Sequence, residues 1–149
     1  ILAAAGLKRL GLESRIRQLI STRHSIPAVG QGALGIEIIA LRQDLLAILA
    51  PLNHPDSACC VEAERGMSRA LAGNCQIPLG AYAERHGDEI HMTGFVASID
   101  GREILRDQAR GAVSNPEALG QALAQKLIHR GADRILAALA DHQSPLDHA

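Results

Sequence analysis

The sequence predicts an α+β domain: a three-stranded antiparallel sheet with helices packed on one face, preceded by a strand and helix segment belonging to upstream α/β domains. Three observations lead there. From Gln76 the chain changes to period-two alternation, and Asp100-Gly101 marks a hairpin within it. Apolar residues at helical spacing precede this region, at Cys60, Ala63 and Met67, and follow it, at Leu119, Leu123 and Leu127. Residues 1–40 mix short apolar runs with glycine turns and read as part of another domain and its hinge. Residues 41–53 then form a connecting helix, and residues 54–149 the C-terminal α+β domain.

Each element has a local reason. Leu12, Ile16, Leu19 and Ile20 recur at helical spacing and predict a helix beyond Gly11. The glycine-rich stretch Gly30-Gln31-Gly32 leads into 33–39, an apolar run that predicts a buried strand. Leu45, Ile48, Leu49 and Leu52 predict a short amphipathic helix, ended by Pro51 and Asn53-His54-Pro55. Asp56 or Ser57 is expected to cap the longer helix that follows, whose apolar face is Cys60, Ala63, Met67, Ala70 and Leu71. Gly73 or Asn74 suits the left-handed position that stops a helix, which leaves Cys75 in a loop between helix and strand.

Ile77, Leu79, Ala81 and Ala83 then alternate with their neighbours, and Ile90, Met92, Gly94 and Val96 do so after a turn at His86-Gly87-Asp88. The stretch 103–112 alternates poorly and carries several charges, so it is expected at a sheet edge. Ser114 or Asn115 caps a helix entered through Pro116 and ended by Gly131. Ile135, Leu136 and Leu139 predict a last turn or two of helix before a polar tail, 141–149.

Composition excludes several classes of function. The aromatic fraction is 1%, with Tyr82 and Phe95 alone, so stacking on single-stranded nucleic acid has no platform. A net charge of −1 supplies no field to draw in a polyanion, and no nucleic-acid partner is expected. No apolar run approaches the roughly 20 residues that span a bilayer, so no membrane partner is expected either. Three cysteines, two of them adjacent, do not make a disulfide framework and suit a reducing cytosol. The opening residues read as the interior of a longer protein.

Among residues that could carry chemistry, Cys75 stands first. A thiol acts as nucleophile when it is exposed and ionises more readily than a free cysteine, whose pKa is about 8.5. Neighbours Gly73, Asn74 and Gln76 give exposure and room that the helical Cys59 and Cys60 lack. No histidine lies near it in sequence to serve as base, so a hydrolase dyad has no support, and the scattered histidines suggest no metal centre. Gly30-x-Gly32-x-x-Gly35 has a dinucleotide-like spacing but precedes a predicted strand, and nucleotide binding is rejected. Arg9, beside Lys8 between two glycines, is a plausible anchor for a carboxylate. Glu64-Arg65, Arg85 and Arg102 read as surface or interdomain ion pairs. These residues alone leave two readings open, a small-ligand-binding α+β module without catalysis and an enzyme that uses Cys75.

Five segments together resemble the porphobilinogen deaminase family. They are Leu2-Ala3-Ala4-Ala5-Gly6-Leu7-Lys8-Arg9-Leu10-Gly11, Pro27-Ala28-Val29-Gly30-Gln31-Gly32-Ala33-Leu34-Gly35-Ile36-Glu37, Leu52-Asn53-His54, Ala63-Glu64-Arg65 and Leu71-Ala72-Gly73-Asn74-Cys75-Gln76-Ile77-Pro78-Leu79-Gly80, in the family's order and spacing. The resemblance implies a cytoplasmic three-domain transferase of haem and chlorophyll synthesis, monomeric when complete. It joins four porphobilinogen molecules head to tail with loss of ammonia, and hydrolysis frees hydroxymethylbilane. It further implies that Cys75 holds a dipyrromethane cofactor through a thioether. Arg9 would pair with acetate and propionate groups, while Gln31 and Gly32 would line the cofactor near the hinge. The family's catalytic carboxylate lies upstream of the residues matched. No catalytic residue is therefore expected in this chain, which should be inactive without the N-terminal half. One departure is Asn74, where the family has glycine; asparagine tolerates a left-handed backbone better than most residues.

Overall fold

Alternation of inward and outward side chains folds residues 79–112 into a meander of three antiparallel strands in the order β1 (Leu79–His86), β2 (Glu89–Ala97) and β3 (Ile104–Ala112). The computed structural model describes residues 1–71 and 78–142. Ala83 pairs with Met92 and Met92 with Ala109, so the inward residues stack across all three strands. Asp100-Gly101 lies in the six-residue connection 98–103, in which Asp100 Oδ1 accepts from Ser98 Oγ at 2.6 Å and from the Arg102 N–H at 3.2 Å. β3 is an edge strand, as expected. Its alternation is regular in burial, with Leu105, Asp107, Ala109 and Gly111 turned inward. The pattern was obscured by Asp107, which holds an inward position because Arg130 meets it at 3.0 Å.

Two helices, α3 (Pro55–Ala70) and α4 (Pro116–His129), cover the inner face. With hardly any aromatic residue available, the core is filled by Met67, Ile90, Met92, Val96, Leu123 and Leu127, all fully buried. The cap of α3 differs from expectation. Pro55 takes the first helical position and holds the preceding residue extended (φ −105°, ψ 102°), so the cap falls on His54, whose Nδ1 accepts from the Ser57 N–H at 3.2 Å. Ala70 is exposed rather than part of the apolar face. Asn115 occupies the N-cap position of α4. The last helix, α5 (Ala132–His142), is 11 residues long, longer than the turn or two foreseen, and buries Ala132 and Ile135. Among the described residues, no helix is long and apolar enough to cross a membrane.

Residues 1–50 contain no buried side chain. They include α1 (Ala4–Arg9) and the short helix foreseen here, α2 (Gln43–Leu49), which continues into a 3-10 turn at Ala50–Leu52. Two expectations fail here. The helix expected over 12–20 is reduced to one 3-10 turn, Glu13–Arg15, because α1 ends before Gly11 and most of the apolar face that would stabilise a longer helix, Leu12, Leu19 and Ile20, stays exposed among the described residues. The strand expected at 33–39 is not formed: Leu34, Ile36 and Ile39 are 95%, 60% and 73% exposed, and among the described residues no neighbouring strand offers ladder partners. The segment ahead of the α+β domain therefore forms neither the helix nor the strand expected of it, and its one α-helix, α1, falls in the opening apolar stretch instead.

Candidate cofactor-binding site

Residues 28–33 form two successive turns. The Gln31 N–H donates to Ala28 O at 3.0 Å and the Ala33 N–H to Gly30 O at 3.1 Å. Gly30 and Gly32 stand third in these turns with φ of +70° and +87°, where a type II turn needs a residue without Cβ strain. Space is not the constraint, since a Cβ on Gly30 would meet Val61 at 3.8 Å and one on Gly32 would meet nothing. Gln31 thus lies between two glycines fixed by backbone geometry.

This loop is tied to the sheet. The outward N–H of Ala81 on β1 donates to Pro27 O at 3.2 Å. The outward N–H of Ala83 donates to Glu64 Oε1 at 2.9 Å, and the Gly30 N–H donates to Glu64 Oε2 at 2.7 Å. Glu64 is 6% exposed, so the expected surface or interdomain ion pair is corrected: it bridges two segments through backbone donors. Burial pushes its pKa up, and the two N–H donors pull it partly back. Arg85 does form the expected surface pair, with Asp56 at 2.6 Å, and Arg102 lies 3.5 Å from Asp100.

Beside the loop is a cleft of about 810 Å³ formed by α1, residues 15–20 and residues 25–31. Leu2, Leu7, Ile16 and Ile26 supply apolar walls, and Arg15, Arg17 and Gln31 supply hydrogen-bonding groups. Such a wall suits apolar rings that carry carboxylates, since guanidinium groups bind carboxylates bidentately. A dipyrromethane bearing acetates and propionates fits this donor set in kind. Of the expected residues, Gln31 lines the cleft; Gly32 is exposed beside it; Arg9 is exposed on the last turn of α1 and is not on the cleft wall. Arg15 and Arg17 also line the cleft and were not among the expected residues. Their place on either side of Ile16, where the 3-10 turn gives way to extended chain, sets both on the cleft wall.

Cys75, with Gly73 and Asn74, lies outside the described residues. The residues flanking that segment are fixed: Leu71 is buried with its N–H on Met67 O, and Leu79 opens β1. The other two thiols are on α3 and partly buried. Cys59 Sγ donates to Asp56 O at 3.2 Å. Cys60 has its pKa pushed up to about 11, first by burial and then by the neighbouring Cys59. At pH 8 roughly one Cys60 thiol in a thousand is therefore ionised. Brief treatment with iodoacetamide at that pH is expected to leave Cys60 unmodified in peptide mass spectra. Its rapid alkylation in folded protein would contradict this environment.

Comparison with known proteins agrees with the geometry. Residues 1–47, which include Arg9, Gln31 and Gly32, match the family model described as "Porphobilinogen deaminase, dipyromethane cofactor binding domain". Residues 58–129, which include Cys75, match "Porphobilinogen deaminase, C-terminal domain". Relatives named porphobilinogen deaminase include those of Methylobacillus flagellatus, 73% identical, Thiobacillus denitrificans, 56%, and Laribacter hongkongensis, 55%. Each match runs over 139 residues, 93% of this chain and 45% of the relative, so the chain spans a little under half the length of these curated relatives. Two models of one family, matching in the order its segments predicted, and these identities over nearly the whole chain establish that the chain belongs to the porphobilinogen deaminase family.

Proposed function

We propose that the chain is the C-terminal part of a cytoplasmic transferase that joins four porphobilinogen molecules head to tail, releasing ammonia at each addition, and frees hydroxymethylbilane by hydrolysis. The observation that carries this reading is the clip between residues 27–30 and β1. It holds the loop of Gln31, beside a cleft with two arginines, against the strand that follows the Cys75 segment. In this reading Cys75 is the covalent anchor of the dipyrromethane. Arg15 and Arg17, with Arg9 at the end of α1, meet its carboxylates, and Gln31 and Gly32 line its bed. When bound, the dipyrromethane supplies the acceptor end of the growing chain. The protein's own task is to pair the carboxylates and hold the rings against an apolar wall.

Residues 1–40 then complete the upstream domains, 41–53 connect, and 54–149 form the domain that anchors the cofactor. Leu34, Ile39 and Leu41 are 95%, 73% and 88% exposed, which suits a surface covered by the N-terminal half of a monomeric enzyme. Coexpressed with the N-terminal half of a relative, the chain is expected to give a complex that colours with acid aldehyde reagent and releases ammonia from porphobilinogen. The chain alone should do neither. A stable complex without colour or ammonia release would overturn the proposal.

A further inference from the structure

A buried carboxylate without a cation is costly unless hydrogen bonds satisfy it. Among the described residues, no Lys, Arg or His pairs with Glu64; its two oxygens are taken by the N–H groups of Gly30 and Ala83. These donors are 53 residues apart in sequence, one in the turns that carry Gln31 and one on β1. Residues 23–30 have other ties to the sheet, Ala81 to Pro27 O and Arg106 Nη1 to Arg23 O at 2.9 Å, but both lie ahead of the turns. Only the Glu64 bond acts on the double turn itself among the described hydrogen bonds.

We propose that Glu64 is a positioning residue for the cofactor site: its carboxylate braces the double turn against β1 and thereby fixes where Gln31 meets the bound group. The functional half of this inference rests on the cleft being the cofactor site; the brace does not. Glutamine at this position keeps the shape but has one acceptor oxygen, and its NH₂ faces the second donor, so one of the two bonds is lost. Aspartate keeps both acceptors on a shorter stem.

Hydrogen exchange of the 149-residue chain, read peptide by peptide, tests the brace. Amides of residues 28–33 are expected to exchange about tenfold faster or more in Glu64→Gln, less so in Glu64→Asp, with β2 and α4 unchanged. Loop exchange equal to the parent's, or loosening of β2 and α4 as great as that of the loop, would overturn the brace. In the complex with the N-terminal half, Glu64→Gln should retain the pyrrole adduct while kcat falls about tenfold or more. Unchanged kcat with a loosened loop, or loss of the adduct itself, would overturn the positioning role. A failed colour test in the parent complex would sink the proposed function but leave the exchange result standing, so the two failures are distinguishable.

Discussion

Cys75→Ser is expected to yield a complex that is folded and carries no covalently attached pyrrole. A thioether requires sulfur, and a serine hydroxyl stays protonated and poorly nucleophilic where a thiol ionises in part. Neither remaining thiol can take over. Cys60 is held protonated by burial and its neighbour, and Cys59 sits on the same helix with its Sγ bonded to Asp56 O. The fold should not register the change, because the core is made by α3, α4 and the three strands on either side of residues 72–77. Unfolding free energy should therefore stay within about 0.5 kcal/mol of the parent. Intact-mass spectrometry of the complex reads the outcome directly: a mass addition in the parent, none in the variant, and no colour with acid aldehyde. A persistent adduct in Cys75→Ser would place the anchor on another residue and end the assignment.

How far the sequence could be read depended on where each residue's partner lies. The meander was legible because alternation, the turn at Gly87 and the loop at Asp100-Gly101 are local, and the inner face they define is covered by helices from the same chain. The apolar spacing of residues 12–20 and 33–39 predicts a helix and a buried strand, and neither forms. It says nothing of what covers them, and with Leu34 and Ile36 exposed neither a helix nor a strand is stabilised there. Asp107 broke the pattern of β3 because its partner, Arg130, comes from α4. Glu64 was illegible for another reason. A charged residue on a helix reads as surface, and the backbone N–H groups that satisfy it leave no trace in any side-chain pattern. The cofactor residues came from motif rather than physics. Chemistry alone singled out Cys75 and Arg9, and gave no reason to choose Gln31, Arg15 or Arg17.

Gly120→Ala is expected to lower the stability of the C-terminal domain by about 3 kcal/mol. Helix propensity alone predicts the opposite sign, a gain of about 1 kcal/mol, since glycine inside a helix is less favourable than alanine by that amount. Packing decides against it. A Cβ on Gly120 would lie 2.6 Å from the backbone N of Met67 and press on the carbonyl of Ala63, both on α3. Reciprocally, a Cβ on Gly66 of α3 would lie 2.7 Å from Glu117 O of α4. The two helices thus touch backbone to backbone, and no rotamer change can relieve an added methyl; the helices must part, opening space around Met67 and Leu123 in the core. Gly94→Ala makes the contrast, because its neighbours are the ends of Met67 and Leu123, which can rotate, and it should cost only about 1 kcal/mol. With no tryptophan in the chain, urea unfolding is best followed by far-ultraviolet circular dichroism. A Gly120→Ala variant as stable as its parent would mean that α3 and α4 are not in backbone contact, and the frame that carries Glu64 and the Cys75 segment would have to be redrawn.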